Sequence, residues 1–441
     1  EGGKPGYAEN KNRNANFYLN GGYVYDGRYL LDVNLRSDGT SVFGANKRFS
    51  TTWSVGLAWN VHREKFMKDK ASFINVLKLR GSVGNPGNQN FSSYSAITTY
   101  YFNNWMLNNF GTGVLVSKFG DPNLAWQRTL DKNIGINLSM FSNRFHVTVD
   151  FYHKRTDPLI ADIGIPVSMG VEKRRTNIGV QVDKGVNGII RYAILCKPQE
   201  SINYTMSVNF RYGTAFYKNI GRSLNAYNQE NISKNLTRYY DGGSPTALWA
   251  VRSRGIDPAT GQEIFVKKDG TLTYTFDYKD EVEVGDSRPT LEGVWGNTFY
   301  YKGWSASLQL RYSFGADVFN STLFNKVENI SSRSITTNQD RRALYNRWKK
   351  PGDKAKFKSI SLTESTPMSS RFVMKENYLS IESVRLGYQF DSKWLKKALR
   401  ISSLNINMYM NSIARFSTLE DERGLYYPFA RSISFSLGAI L

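Results

Sequence analysis

Arg144-Phe-His-Val-Thr-Val-Asp-Phe151 alternates polar and apolar residues one by one. A period of two marks a strand whose successive side chains leave opposite faces. Phe145, Val147, Val149 and Phe151 share one face, and Arg144, His146, Thr148 and Asp150 the other. Working outward, the same pattern predicts strands over 16–25, 28–36, 50–61, 75–83, 129–140, 144–153, 185–197, 202–212, 291–301, 303–313, 378–390, 400–410 and 430–441. Ile134, Ile136, Leu138 and Met140 oppose Asn133, Gly135, Asn137 and Ser139, while Trp304, Ala306, Leu308, Leu310 and Tyr312 oppose Ser305, Ser307, Gln309 and Arg311. Such a chain either packs two sheets face to face or closes one sheet into a barrel with a wet interior.

The polar face separates the two. Arg211, Arg311, Arg385, Asn405 and Asn407 buried unpaired in a dry sandwich would cost on the order of several kcal/mol each, whereas a hydrated lumen accepts them. The connections agree. Short links at Asp26-Gly27, Phe141 to Asn143, Pro198 to Ser201 and Lys302-Gly303 alternate with long ones at 37–49, 84–128, 154–184, 213–290 and 314–377. That asymmetry belongs to an outer-membrane barrel, with short periplasmic turns and long extracellular loops. Tyr23, Tyr25, Phe299, Tyr301 and Trp304 gather at strand ends like an interfacial girdle. In the last strand Ile433, Phe435, Leu437, Ala439 and Leu441 take the lipid face.

The bulk numbers fit this reading. Mean hydropathy is negative, as expected when half of each strand is polar. No apolar run approaches the roughly 18 residues of a membrane helix. Glu1 opens no signal peptide, so the export signal is expected to lie upstream or to have been removed. A single cysteine, Cys196, excludes an internal disulfide framework. The formal charge of +21 comes from 58 Lys+Arg against 37 Asp+Glu, scattered over many loops and without a nucleic-acid-binding motif. It reads first as a generic solvated surface, with contact to anionic lipopolysaccharide or an acidic ligand fitting better than nucleic acid. Thirteen is an odd strand count, and bacterial single-chain barrels use even ones. Earlier strands are expected in an upstream segment or a companion chain.

Several segments then resemble a known family in order along the chain. Arg36-Ser-Asp-Gly-Thr-Ser-Val-Phe-Gly44, Leu77-Lys-Leu-Arg-Gly-Ser-Val-Gly-Asn-Pro-Gly-Asn-Gln89, Trp126-Gln-Arg-Thr129, Asn133-Ile-Gly135 and Asp150-Phe-Tyr-His-Lys-Arg-Thr-Asp-Pro-Leu159 come first. Asn177-Ile-Gly179, Trp348-Lys-Lys-Pro-Gly-Asp353, Ser370-Arg-Phe-Val373 and Tyr378-Leu-Ser-Ile-Glu-Ser-Val-Arg-Leu-Gly-Tyr388 follow. Together they look like the barrel of SusC/RagA-like TonB-dependent transporters of Bacteroidetes. The resemblance implies an all-β antiparallel barrel of about 22 strands around an N-terminal plug, energised by TonB and capped by a SusD-like lipoprotein. Residues 1–441 match only the C-terminal part of that barrel, without plug or early strands. Two departures stand out: the stretch Asn411-Ser-Ile-Ala-Arg-Phe-Ser-Thr-Leu-Glu420 lacks the usual Asn-Leu and Gly-x-Asp-Pro-Glu, and the chain ends in Leu441 where an aromatic is common.

Candidate binding residues lie in the 84–128 loop. Gly84-Asn-Pro-Gly-Asn-Gln89 reads first as a tight turn, with Asn85, Asn88 and Gln89 as substrate contacts. Tyr100, Tyr101, Trp105 and Phe110 supply aromatic surface for sugars or peptide side chains, or packing surface for neighbouring loops. Arg144, His146, Asn209, Arg311, Arg385 and Asn407 are expected to line the lumen. No cofactor is expected: Asp257-Pro-Ala-Thr-Gly-Gln-Glu263 with Lys268-Asp-Gly270 reads first as a hairpin turn, its oxygens around glycines making a weak calcium candidate. The acidic run Asp277, Asp280, Glu281, Glu283 and Asp286 reads as a solvated loop face. An enzyme finds little support: His146 and His153 fall on opposite strand faces, and no nucleophile elbow, HExxH or phosphate loop occurs. The leading expectation is outer-membrane import of a bulky glycan or oligopeptide. The alternative is a structural or adhesive barrel that binds a surface partner without transport.

Overall fold

The computed structural model describes residues 9, 11–41, 48–68, 72–88, 97–108, 111–336, 338–361, 363–420 and 430–440. Thirteen strands follow one another in one antiparallel path. The first eight are β1 (Asn14–Tyr25), β2 (Tyr29–Thr40), β3 (Phe49–Asn60), β4 (Ile74–Asn85), β5 (Gln127–Met140), β6 (Phe145–Thr156), β7 (Val180–Lys197) and β8 (Ile202–Lys218). The rest are β9 (Leu291–Tyr301), β10 (Trp304–Phe319), β11 (Val373–Phe390), β12 (Ser403–Ser417) and β13 (Ile433–Ile440). Each pairs with its neighbours in sequence, and β1 and β13 are the two ends of the path. No helix among the described residues is long and apolar enough to cross a membrane.

All thirteen expected strands are present, and their main departures share one end. On the long-loop side β2, β8, β10 and β12 run on to Thr40, Lys218, Phe319 and Ser417, while β7 and β11 begin early at Val180 and Val373. There the loops cover both faces, burying Ala215, Tyr217 and Ala316 on the basin side and Val180 and Val182 on the other. Alternation stops while the hydrogen-bond ladder continues. One boundary is corrected at the other end: Arg144 lies in a turn. Phe141, Ser142 and Asn143 all take positive φ (56, 56 and 62°), a run of left-handed backbone that no strand sustains. From the turn the Arg144 guanidinium donates to the Cys196 carbonyl at 3.3 Å. Leu441, expected to end β13, lies outside the described residues.

Two luminal-type contacts explain glycines inside strands. Arg80 on β4 reaches across β5 to Asp150 on β6, 2.7 Å away, because a Cβ on the intervening Gly135 would fall among those two side chains. Tyr152 on β6 likewise lies over Gly185 and Gly213, where an added Cβ would meet its hydroxyl at 2.6 and 2.5 Å.

At the short-turn end, Glu64 ties β2 and β3 together. It accepts from the Trp59 indole N–H at 3.0 Å, the Tyr29 hydroxyl at 2.9 Å and the Arg28 guanidinium at 3.0 Å. These donors, Trp59 foremost, hold its carboxyl below the usual range. A carboxyl depressed by folding stabilises the fold above its unfolded pKa of about 4.3 and loses that contribution as pH falls through the folded value. Thermal unfolding should therefore move to lower temperature between about pH 6 and about pH 3. Glu64→Gln should flatten part of that profile; a variant profile parallel to that of the unmodified chain would remove Glu64 as its cause.

The long-loop end carries its own structure. Residues 247–286 fold into a small four-stranded sheet, and buried ion pairs fasten it. Arg238 meets Glu281 at 3.1 Å with both nearly inaccessible. Arg371 bridges Glu263 at 2.9 Å and Glu328 at 2.7 Å. The expectation of a solvated acidic face is thus corrected at Glu281, which is buried because Arg238 is buried beside it. Asp286 is drawn in too, accepting from the Thr246 hydroxyl at 2.6 Å.

Candidate functional site

One concavity of about 1280 Å³ is walled by eight consecutive strands, from Tyr18 on β1 to Arg211 on β8. A flat sheet cannot wall a single space across eight strands, so this face curves inward. The wall is polar and its charges are matched. Besides Arg80 with Asp150, Arg36 meets Asp38 at 2.7 Å, Lys154 meets Asp131 at 3.3 Å, Arg288 meets Asp183 at 3.4 Å and Arg211 meets Glu292 at 3.6 Å. Asn20, Asn34, Thr52, Ser54, Ser82, Asn133 and Asn187 fill the spaces between. The overall positive charge is therefore not concentrated here. Neutral amides and hydroxyls beside compensated charges suit a polar, uncharged solute by many hydrogen bonds.

Of the expected substrate contacts, Asn85 lines this basin, and its Oδ1 is buried without a protein hydrogen bond. Asn88 pairs through its backbone with Gln127, while its side chain, like all of Gln89 and Phe110, lies outside what is described. Tyr100 and Tyr101 stand elsewhere, on a hairpin of Thr99–Asn108 with Gly111–Lys118, 64% and 47% exposed. Trp105 belongs to the same hairpin, its side chain undescribed. The aromatic set and the basin are thus two places.

The remaining polar-face residues follow the register. His146 pairs with Ser139 and Arg191, in line with the basin side of β6. Asn209 precedes basin residue Arg211 by two and accepts from Val294 N at 2.6 Å. Arg311 meets Glu382 at 3.2 Å, and Arg385 donates to Asn407 Oδ1 at 2.8 Å. Arg80, Asp131 and Tyr152 also belong to this face by parity within the expected strands, whereas Lys154 and Asp183 lie beyond the expected 144–153 and 185–197 and join it only because β6 and β7 run longer.

Around the calcium candidate, Asp257 accepts from Ala259 N, the Thr260 hydroxyl and, at 2.7 Å, the Tyr274 hydroxyl. Those hydrogen bonds, that of Tyr274 first, hold its carboxyl below the usual range. Glu263 is turned to Arg371 and Ser369. Among the described residues no three His, Cys, Asp or Glu side chains gather as metal ligands.

A family profile described as "TonB dependent receptor-like, beta-barrel" matches residues 2–330. The chain is 27% identical over 454 residues to TonB-dependent receptor P39 of Formosa agariphila, covering 92% of this chain and 43% of that protein. It is 24% identical over 449 residues to TonB-dependent receptor SusC of Bacteroides thetaiotaomicron, covering 94% and 42%. The chain therefore spans less than half the length of these curated relatives. Among solved structures, that of the RagAB peptide transporter superposes with a TM-score of 0.80 at 20% identity, over 92% of this chain and 44% of that one.

Proposed function

Because this chain belongs to the TonB dependent receptor-like β-barrel family and so to the bacterial outer membrane, we propose that the whole protein imports a bulky, polar oligomeric nutrient, a glycan or oligopeptide. In this reading residues 1–441 form the C-terminal part of a barrel of about 22 strands, and an N-terminal plug couples to TonB in the periplasm. A SusD-like lipoprotein covers the long-loop end. Both likenesses support the pairing, since one relative is a SusC and one structural neighbour is the RagAB peptide transporter.

The observation that carries the proposal is the charge-compensated basin. A wall of matched ion pairs, amides and hydroxyls holds a large hydrated solute without trapping it as a single strong charge would. Asn85 sits where this wall meets the long loops, and the exposed Tyr100 and Tyr101 hairpin gives the same end a stacking surface. Arg311, Arg385 and Asn407 extend the polar lining beyond the eight basin strands.

Uptake tests it. Cells lacking the gene should lose growth on the oligomeric nutrient while growing normally on its monomers, and a SusD-like lipoprotein should co-purify with the intact protein. Undiminished oligomer accumulation in the deletion strain, with no lipoprotein recovered, would overturn import and leave an adhesive barrel.

A further inference from the structure

The other face of the sheet should be uniformly apolar if it meets only hydrocarbon, and for two levels it is. Gly81, Ile134, Phe151, Val186 and Tyr212 form one row across β4 to β8, with Leu79, Ile136, Val149, Gly188 and Phe210 below. One step toward the long loops the row changes character. Lys132, His153 and Lys184 stand directly opposite one another on β5, β6 and β7, all exposed. Facing residues on paired strands lie about 5 Å apart, so three nitrogen-bearing side chains crowd one level. Among the described residues none of the three meets a carboxylate. The acids Asp131 and Asp150 point to the opposite face, and Asp157, just past the end of β6, is taken by Arg155 at 2.8 Å.

Beneath this row runs a groove of about 700 Å³, bordered by Leu57, Val83, Ile134 and Phe151, with Lys132 and His153 at its upper end. It exists because Gly81 has no side chain and nothing lies within 4 Å of where its Cβ would be. A flush lipid-facing wall has no use for such a channel. An apolar channel capped by two lysines and a histidine that meet no carboxylate has the chemistry of an acylated, phosphate-bearing lipid.

We propose that Lys132, His153 and Lys184 bind the phosphate of an acylated lipid of the outer leaflet, one acyl chain of which lies in the groove at Gly81. The long-loop end is the extracellular end, which places the basic row at the outer-leaflet headgroups. This site needs only the outer-membrane placement of the barrel and stands whether or not the protein imports anything.

The test uses the full-length protein in nanodiscs of phosphatidylethanolamine doped with lipid A, with retained lipid counted by mass spectrometry after detergent washing. Lys132→Gln/Lys184→Gln should retain about tenfold less lipid A or lower, since each Lys near an anionic surface contributes roughly 1 kcal/mol. Gly81→Leu, which fills the groove without touching the charges, should also lower retention of lipid A while leaving binding of its deacylated phosphosugar unchanged. Unaltered heat-modifiable mobility on gels shows that both variants are folded. Equal lipid A retention in the double variant, or a parallel loss of phosphatidylethanolamine, would overturn the site.

Discussion

Replacing Arg371 by methionine is expected to destabilise the long-loop unit by about 3–5 kcal/mol. Arg371 is the sole bridge between Glu263 and Glu328 in the ion pairs described above, and the two carboxylates are 2% and 0% exposed. Ser369 donates to Glu263 at 2.6 Å and Thr366 to Glu328 at 3.0 Å. Those hydroxyls satisfy oxygens but bring no charge. Removing the guanidinium leaves Glu263 and Glu328 as buried anions, with the Arg347 guanidinium acting on Glu328 alone. The barrel wall lies below this unit and should survive, so the effect is read as rapid protease cleavage within 219–290 and 320–372 while the strands stay protected. Adding Glu263→Gln and Glu328→Gln should recover much of the resistance, because the burial penalty disappears with the charges. Cleavage rates equal to those of the unmodified protein would show that the loops are held elsewhere.

Gly185→Val should impair assembly of the barrel itself. A Cβ at Gly185 would press on the Tyr212 carbonyl and lie 2.7 Å from Gly213 Cα, so the β7–β8 backbones would have to part. Overpacking of this kind costs about 1–3 kcal/mol, and it also evicts Tyr152 from the basin wall. Gly213→Ala is the internal control. Its Cβ meets the movable Tyr152 hydroxyl at 2.5 Å and the Lys184 carbonyl only at 3.1 Å, so that the strain relaxes through one side chain and a small backbone shift. Heat-modifiable gel mobility should show a reduced folded band for Gly185→Val and a nearly normal one for Gly213→Ala; equal bands would refute the backbone argument.

The wall of this protein could be read from sequence because each strand residue answers to one of two solvents. Phe145 to Phe151 share a face by period alone, and counting assigns His146, Asn209, Arg311, Arg385 and Asn407 to the opposite one. Partners were not legible. That Arg80 finds Asp150 requires two strands to be in register and a glycine between them. The long loops were least legible of all. Glu281 and Arg238 are 43 residues apart, and Arg371 and Glu263 are 108 apart, with no periodicity to connect them. Buried charges in such segments look the same in sequence as solvated ones. The Tyr100 hairpin was missed as structure for a similar reason, being read as loop aromatics when it pairs with Gly111–Lys118.

Every strand in the path pairs with the strand next to it in sequence, whatever separates them. Between β8 and β9 lie the residues 219–290, yet their register continues without a break from Arg211 opposite Glu292 to Ile202 opposite Tyr301. Lengthening a flexible connection is cheap, about 0.6 kcal/mol for each doubling. Loop size is thus a free parameter in this architecture. Insertions can rebuild the long-loop end again and again while the hairpins beneath keep their alignment, so related chains can diverge there without renegotiating how they cross the bilayer.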